Sequence, residues 1–386
     1  MNNLQSEEKT VNIDAQSFQC QSCGGIMKFH IQNQKFICSS CKEEKDLETL
    51  SDTVREYDFN QYLQREKEAV PFEGLAVVCC QNCGLEITLG EQQVAATCPM
   101  CASTQIADVK QQAGIAPEGI VPFKIDRHDA QNKFRAWVKS RWFAPGDFKQ
   151  KYGEGALSGM YLPFWTYDAS VLSSYKGEGG KHRKVKDEQG KEKTVTDWFP
   201  VSGVVTSFFD DVQVCASEKE KNIQGILPYN TIENTKPYSA GYLSGYYAEV
   251  YKIKADKAFE SAKQYMEEKM RSLAVDKVLE EYDESRIHSL DTKYSNITYK
   301  HLLLPLWSSA FGYKGRTYNY LVNGETGKVN GQRPYSVAKI AAAALAGLVA
   351  VIIAFSVFSG GGDSSYSDDS SYDEDSSYND AYYAEE

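Results

Sequence analysis

Apolar residues are laid out in several distinct ways along this chain. From Ile340 to Phe358, 19 successive residues carry no charge, and most are Ala, Val, Ile, Leu or Phe. At 1.5 Å per residue such a run makes a helix of about 28 Å, close to the thickness of bilayer hydrocarbon. The competing reading is a buried core helix. Lys339 on one side and "SGGGDSSYSDD" on the other weigh against it, because no soluble domain resumes. The pattern therefore predicts one transmembrane helix over 338–358. An earlier stretch, "KIDRHDAQNKFRAWVKSRWFAPGDF", carries Ala130, Phe134, Trp137, Val138 and Arg141 on one helical face. Asp126 is placed to cap it and "APG" to stop it. A second long helix is expected over Ala255 to Glu281.

Alternation replaces helical spacing elsewhere. "GMYLPFWTYDASVLSSYKGEG" and "TVTDWFPVSGVVTSFFDDVQV" are rich in β-branched and aromatic residues and read as strands. Between them "KHRKVKDEQGKEK" reads as an exposed basic hairpin tip, with contact to lipid headgroups as the less favoured alternative. A meander follows from Ser295 to Ser336, with turns at "YKGR" and "NGETG". Its last strand runs nearly into the apolar segment. Because strands cluster instead of alternating with helices, the fold expected is α+β multidomain, with a β-rich domain built on antiparallel sheet. Ser51 to Val70 is charged and free of proline. Val54, Tyr57, Tyr62 and Leu63 give it the rough spacing of a helical connector.

The cysteines change this picture most. Cys20, Cys23, Cys38 and Cys41 form C-x2-C-x14-C-x2-C, and Cys80, Cys83, Cys98 and Cys101 repeat the spacing 60 residues later. Each pair belongs to a tight turn, with Gly24 and Gly84 placed where φ > 0 is needed. A hairpin between pairs brings four thiolates together as a closed, tetrahedral four-cysteine site. Two structural zinc ions are expected, with iron the rival metal. Such sites fold the chain and do no chemistry. Disulfides need an oxidising compartment, and "MNNLQSEEKT" has no apolar signal core. Cys79 and Cys215 fall outside the repeat and read as small buried apolar residues.

The sequence thus divides into a first ribbon (18–50), the connector (51–76), a second ribbon (77–110), an α+β body (111–337), the transmembrane helix (338–358) and an acidic tail (359–386). The tail repeats "SSYSDD", "SSYDED" and "SSYNDA" and is expected to be disordered. It carries nine of the acidic residues and no Lys or Arg. The net charge of −11 therefore leaves −2 for the rest. Lys328, Arg333 and Lys339 before the span, with no cation after it, place the body in the cytoplasm and the tail outside. Nucleic acid is not the expected partner. From Val77 to Val109 the second ribbon has no Lys or Arg, and the first offers only Lys28 and Lys35 beside Phe29, His30 and Phe36. There is no phosphate-loop motif, the five histidines (His30, His128, His182, His288, His301) are scattered, and no catalytic constellation appears.

Two ribbons followed by "VPFKID", "MYLPFWTYDA" and "LLLPLWSSAFGYKGRTYNYLVNGETGKVNGQRPYS", then an apolar span, resemble a bacterial family of TFIIB-type zinc-ribbon membrane proteins. The resemblance covers about residues 18–358. Members are often labelled primosomal-helicase-like. This chain lacks the nucleotide-binding motif, so that activity is not carried over. Some relatives occur beside phage-shock protein A-like and SPFH proteins. The resemblance therefore implies a non-enzymatic membrane adaptor in envelope stress, recruiting cytoplasmic protein partners. The alternative is a membrane-tethered nucleic-acid-binding ribbon protein.

Overall fold

A computed structural model describes residues 20–25, 27–45, 53–68, 76–89, 98–101, 103, 106–109, 114–151, 157–186, 188–218, 223–243 and 246–359. The acidic tail after Ser359 and the end of the second ribbon's hairpin, 90–97, lie outside the described residues. Residues up to Pro334 form one compact unit, and those from Tyr335 onward form another.

The first described elements form a three-stranded sheet, β1 (Met27–His30), β2 (Lys35–Cys38) and β3 (Glu44–Lys45). The expected first hairpin is present, with Phe29 opposite Phe36. Both rings are buried, and Phe29 meets Tyr242 edge-on with centroids 5.1 Å apart. The connector departs from a plain helix. Tyr57–Asp58 (β4) pairs with a strand of the body, and only Tyr62–Glu68 (α1) is α-helical among its described residues. Arg65 explains the docking of α1: its guanidinium stacks on Tyr57 and ion-pairs at 2.6 Å with Glu118, whose side chain is 7% exposed.

The second ribbon is part of the main sheet. Its strands β5 (Ala76–Cys80), β6 (Glu86–Leu89) and β7 (Ile106–Val109) pair with one another. The body then contributes β8 (Gly119–Ile120), α2 (Arg127–Lys139), α3 (Phe148–Lys151) and the long strands β9 (Ser158–Lys186) and β10 (Glu192–Cys215). After α4 (Thr231–Asn234) come β11 (Lys236–Pro237), β12 (Tyr247–Glu249), α5 (Ala255–Leu279), β13 (Glu284–Tyr313), β14 (Arg316–Asn323), β15 (Val329–Gly331) and α6 (Val337–Ser359). Three-residue β12 joins the two halves: Ala248 and Glu249 face Thr88 and Ile87 of β6, while Tyr247 and Ala248 face Met160 and Tyr161 of β9. The expectation of an antiparallel sheet is corrected here. β12 with β9 and β13 with β8 are parallel, so the 12-stranded sheet is mixed. Both parallel pairs involve strands of two or three residues whose partners are distant in sequence.

β10, β9 and β13 continue as a three-stranded arm. At about 3.3 Å per residue, the 29 residues of β9 would span about 95 Å if straight. α5 covers one face of the arm. Its buried Ala258, Ala262, Met266, Met270, Ala274 and Val278 recur every four residues, so the stripe winds slowly about the helix and follows a twisted sheet. The alanines let the helix lie close. Trp165 Nε1 and the Tyr167 hydroxyl donate to the carbonyls of Ile253 and Ala255 at 2.8 and 2.6 Å, which fixes the start of α5. β13 starts at Glu284, about ten residues before the expected meander. There its charged side chains alternate with half-buried ones instead of forming an apolar run.

The basic hairpin tip is present. Cross-strand ion pairs join Arg183 to Asp197 and Lys184 to Glu192. It stands at the far end of β9 from Ser158. β15 and the approach to Pro334 lie near the Ser158 end, through β14 and residues 306–313 of β13. The register thus separates the tip from the chain's exit by most of the length of β9.

A buried charged group sits where the arm meets the main sheet. β10 bulges between Phe209 and Val212, and Asp211 takes φ 52°. Its N–H donates to Asp168 Oδ1 at 2.8 Å, and the Thr298 hydroxyl donates to Asp168 Oδ2 at 2.8 Å. Lys300 Nζ reaches Glu56 Oε1 at 2.6 Å and Asp211 Oδ1 at 2.7 Å. Burial leads in pushing Asp168 up to about 6, with the nearby Glu56 carboxylate adding to it. Among the scattered histidines, His301 is a core residue. Its Nδ1 meets the Ile115 carbonyl at 2.9 Å, and burial holds the ring neutral, down to about 4.

Helix α6 begins one residue before the span expected from sequence and ends one residue after it. Val337–Phe355 within it is long and apolar enough to cross a membrane, with mean hydropathy 2.4.

Candidate metal centres

Each cysteine pair is built by the same backbone device. In the first knuckle the Cys20 N–H donates to Gly25 O, and the Gly24 N–H to Cys20 O, both at 2.8 Å. Gly24 has φ 70°, as the turn requires. Cys80, Gly84 and Leu85 repeat this in the second ribbon, again with φ 70° at Gly84. At Cys38 the matching left-handed position is Lys42, φ 65°, whose N–H donates to Cys38 O at 3.1 Å. A lysine there gives no sequence signal, so the glycines mark only the first knuckle of each ribbon.

The turns bring the expected donors together. One Sγ from each of Cys20, Cys23, Cys38 and Cys41 lies within 4.8 Å of the others, and the same holds for Cys80, Cys83, Cys98 and Cys101. Cys20–Cys41 and Cys23–Cys38 sulfurs are 3.5 Å apart; Cys80–Cys101 and Cys83–Cys98 are 3.6 and 3.7 Å apart. A tetrahedron with metal–sulfur bonds of about 2.3 Å has sulfur–sulfur edges of about 3.8 Å. A disulfide would need about 2.05 Å. The two sets therefore fit a four-coordinate ion, and all eight cysteines named from the repeat are the ones that meet.

The surroundings favour thiolate at Cys38 and Cys80, while Cys20, Cys41, Cys83 and Cys101 are held protonated by burial or by neighbouring thiols. N–H groups of Gly25 and Cys41 point at Cys23 Sγ and Cys38 Sγ at 3.4 and 3.5 Å. The Cys41 amide leads in lowering Cys38 to about 6. For Cys80, burial acts upward but the amides of Cys83 and Asn82 prevail and lower it to about 7. Cys41 shows the converse. Although the Glu43 amide acts to lower it, the surrounding thiols raise it to about 12. Four sulfurs this close cannot all ionise without a cation among them. An ion bound there supplies charge neutralisation and cross-linking, and four thiolates leave it no open position for a substrate.

The two centres differ in how they meet the body. Cys20 and Cys38 lie in a cluster with Met27, Phe29, Phe36 and Tyr242, so the first ribbon adheres through side chains. Cys80 and Cys98 are packed with Met160, Leu162, Phe164 and Leu304, and their ribbon is also hydrogen-bonded into the sheet. Cys79 stands outside the cluster and Cys215 packs beside it; both are half-buried, less enclosed than expected. Phe29 and Phe36 of the first hairpin are turned inward, His30 is exposed, and Lys35 pairs with Glu44.

No family model matches the chain, and no solved structure matches it. The chain is similar to a protein of Bacillus subtilis (strain 168) described as uncharacterized protein YdjG. The two are 28% identical over 341 residues, which cover 84% of this chain and 92% of that protein.

Proposed function

We propose that this chain is a zinc-stabilised, single-pass membrane scaffold that brings cytoplasmic protein partners to the inner face of the membrane, in the envelope-stress setting its resemblance implies. The observation that carries this reading is the outer face of the arm, opposite α5. There Leu172 of β9 and Val204 and Phe208 of β10 are 41, 56 and 63% exposed. Leu172 pairs with Thr206, so the two β10 side chains are its diagonal neighbours and the three form one apolar patch. A patch of this kind, on the exposed face of paired strands, supports protein contact over chemistry.

Co-purification from detergent-solubilised membranes tests this. The full chain is expected to enrich specific proteins, and a Val204→Asp/Phe208→Asp variant to lose them while still fractionating with membranes. Unchanged recovery with that variant, or no enrichment by the wild type, contradicts the proposal.

A further inference from the structure

The aromatic residues at and beyond the end of α2 divide between core and surface. Phe134 is buried and stacks on Tyr320 at 3.4 Å, and Trp137 is half-buried. Beyond them Trp142 is 74% exposed and Phe143 39% exposed. From Lys133 to Lys149 the chain has five cations and one acid, Asp147, in a protein whose net charge is −11. Asp147 is itself ion-paired with Lys314 at 3.1 Å. Exposed Trp and Phe among cations is the composition of a membrane-interface contact, in which the rings enter the headgroup region and the cations meet lipid phosphate.

The position agrees with the composition. Arg141 lies over the Trp137 ring at 4.8 Å, and Arg333 approaches the same ring at 5.9 Å. Only Pro334, Tyr335 and Ser336 separate Arg333 from Val337, the first residue of α6. Four steps of extended chain reach about 14 Å at most. If α6 spans the bilayer, chain length alone keeps the Trp137 end of α2 near the membrane surface. The basic hairpin tip has no such tie.

We infer that Trp142 and Phe143 rest in the anionic phospholipid headgroup layer, held there by Arg135, Lys139 and Arg141, so that the body is fixed to the membrane at a second point. This rests on the reading of α6 as a span. The test uses the full chain reconstituted in vesicles that contain lipid brominated near the headgroup, made either of neutral phosphatidylcholine or with anionic phosphatidylglycerol added. Tryptophan emission is expected to be quenched more in the anionic vesicles. Trp142→Phe should remove most of that quenching, and Arg135→Glu/Lys139→Glu should bring it down to the neutral-vesicle level. Quenching that is the same in Trp142→Phe, or independent of anionic lipid, overturns the inference. A carbonate wash separates the two claims. Protein that stays in the vesicles with Trp142 unquenched refutes only the headgroup contact, whereas protein that washes off refutes the span and this contact with it.

Discussion

A Cys80→Ser/Cys83→Ser variant is expected to lose one metal ion and to lower the melting temperature of the whole body, by about 10 °C or more. The second ribbon's β6 is hydrogen-bonded to β12, which in turn lies on β9. Val78, Leu85, Ile87 and Met100 share a buried cluster with Met160, Leu162 and Leu304. Apparent zinc affinity in isolated ribbons is about 10–16 kcal/mol, comparable with the entire stability of a domain. For a domain of about 150–250 residues each kcal/mol lost shifts the midpoint by roughly 2–4 °C. About half of the metal's contribution, roughly 5–8 kcal/mol, gives the stated fall. Cys20→Ser/Cys23→Ser should lose one ion as well but lower the midpoint less, since among the described residues its three strands pair only with each other. Calorimetry on the detergent-solubilised chain distinguishes these. Equal midpoints for wild type and the Cys80 variant would show that the second ribbon is not structurally joined to the body.

The second large effect concerns Lys300. Replacing it by Met leaves Asp211, which is buried, and the partly protonated Asp168 with no cation between them and Glu56. Removing one partner of a buried pair typically costs about 3–5 kcal/mol. The loss should depend on pH in a definite direction. Lys300 is raised to about 12, burial being outweighed by its two carboxylate partners, so its own contribution is complete at neutral pH and fades only as pH climbs through 12. Asp168, raised to about 6, binds more protons folded than unfolded between its ordinary value and 6. Its unfavourable contribution is thus present above pH 6 and relieved as pH falls. In Lys300→Met the unpaired carboxylates should also take up protons more readily. The deficit relative to wild type is therefore expected to be smaller at pH 5 than at pH 7.5, as read by urea unfolding. A deficit that grows on acidification contradicts this account of the cluster.

Much of this structure is legible locally. Cysteine spacing names both donor sets, because a knuckle is closed by its own backbone within five residues. Asp126 accepts from the Asp129 N–H at 2.8 Å as the cap of α2, and the hairpin between β9 and β10 turns where charge and glycine cluster. What escaped is non-local. Nothing in "YAE" at Tyr247–Glu249 announces that it joins the second ribbon to Met160 and Tyr161 of β9, far earlier in the chain. Nor does Lys300 show in sequence that it will meet Glu56, since both look like ordinary surface charges until β4 pairs with β13 beside them. The helical face read from sequence runs on to Arg141, whereas α2 ends at Lys139 with Ser140 as its cap, and Trp142 just beyond is exposed.

Metal content measured by elemental analysis on the purified full-length chain tests the central claim most directly. The account predicts two zinc ions per chain, and one in each double-serine variant. Iron in their place, or a folded chain holding fewer than one ion, would contradict it.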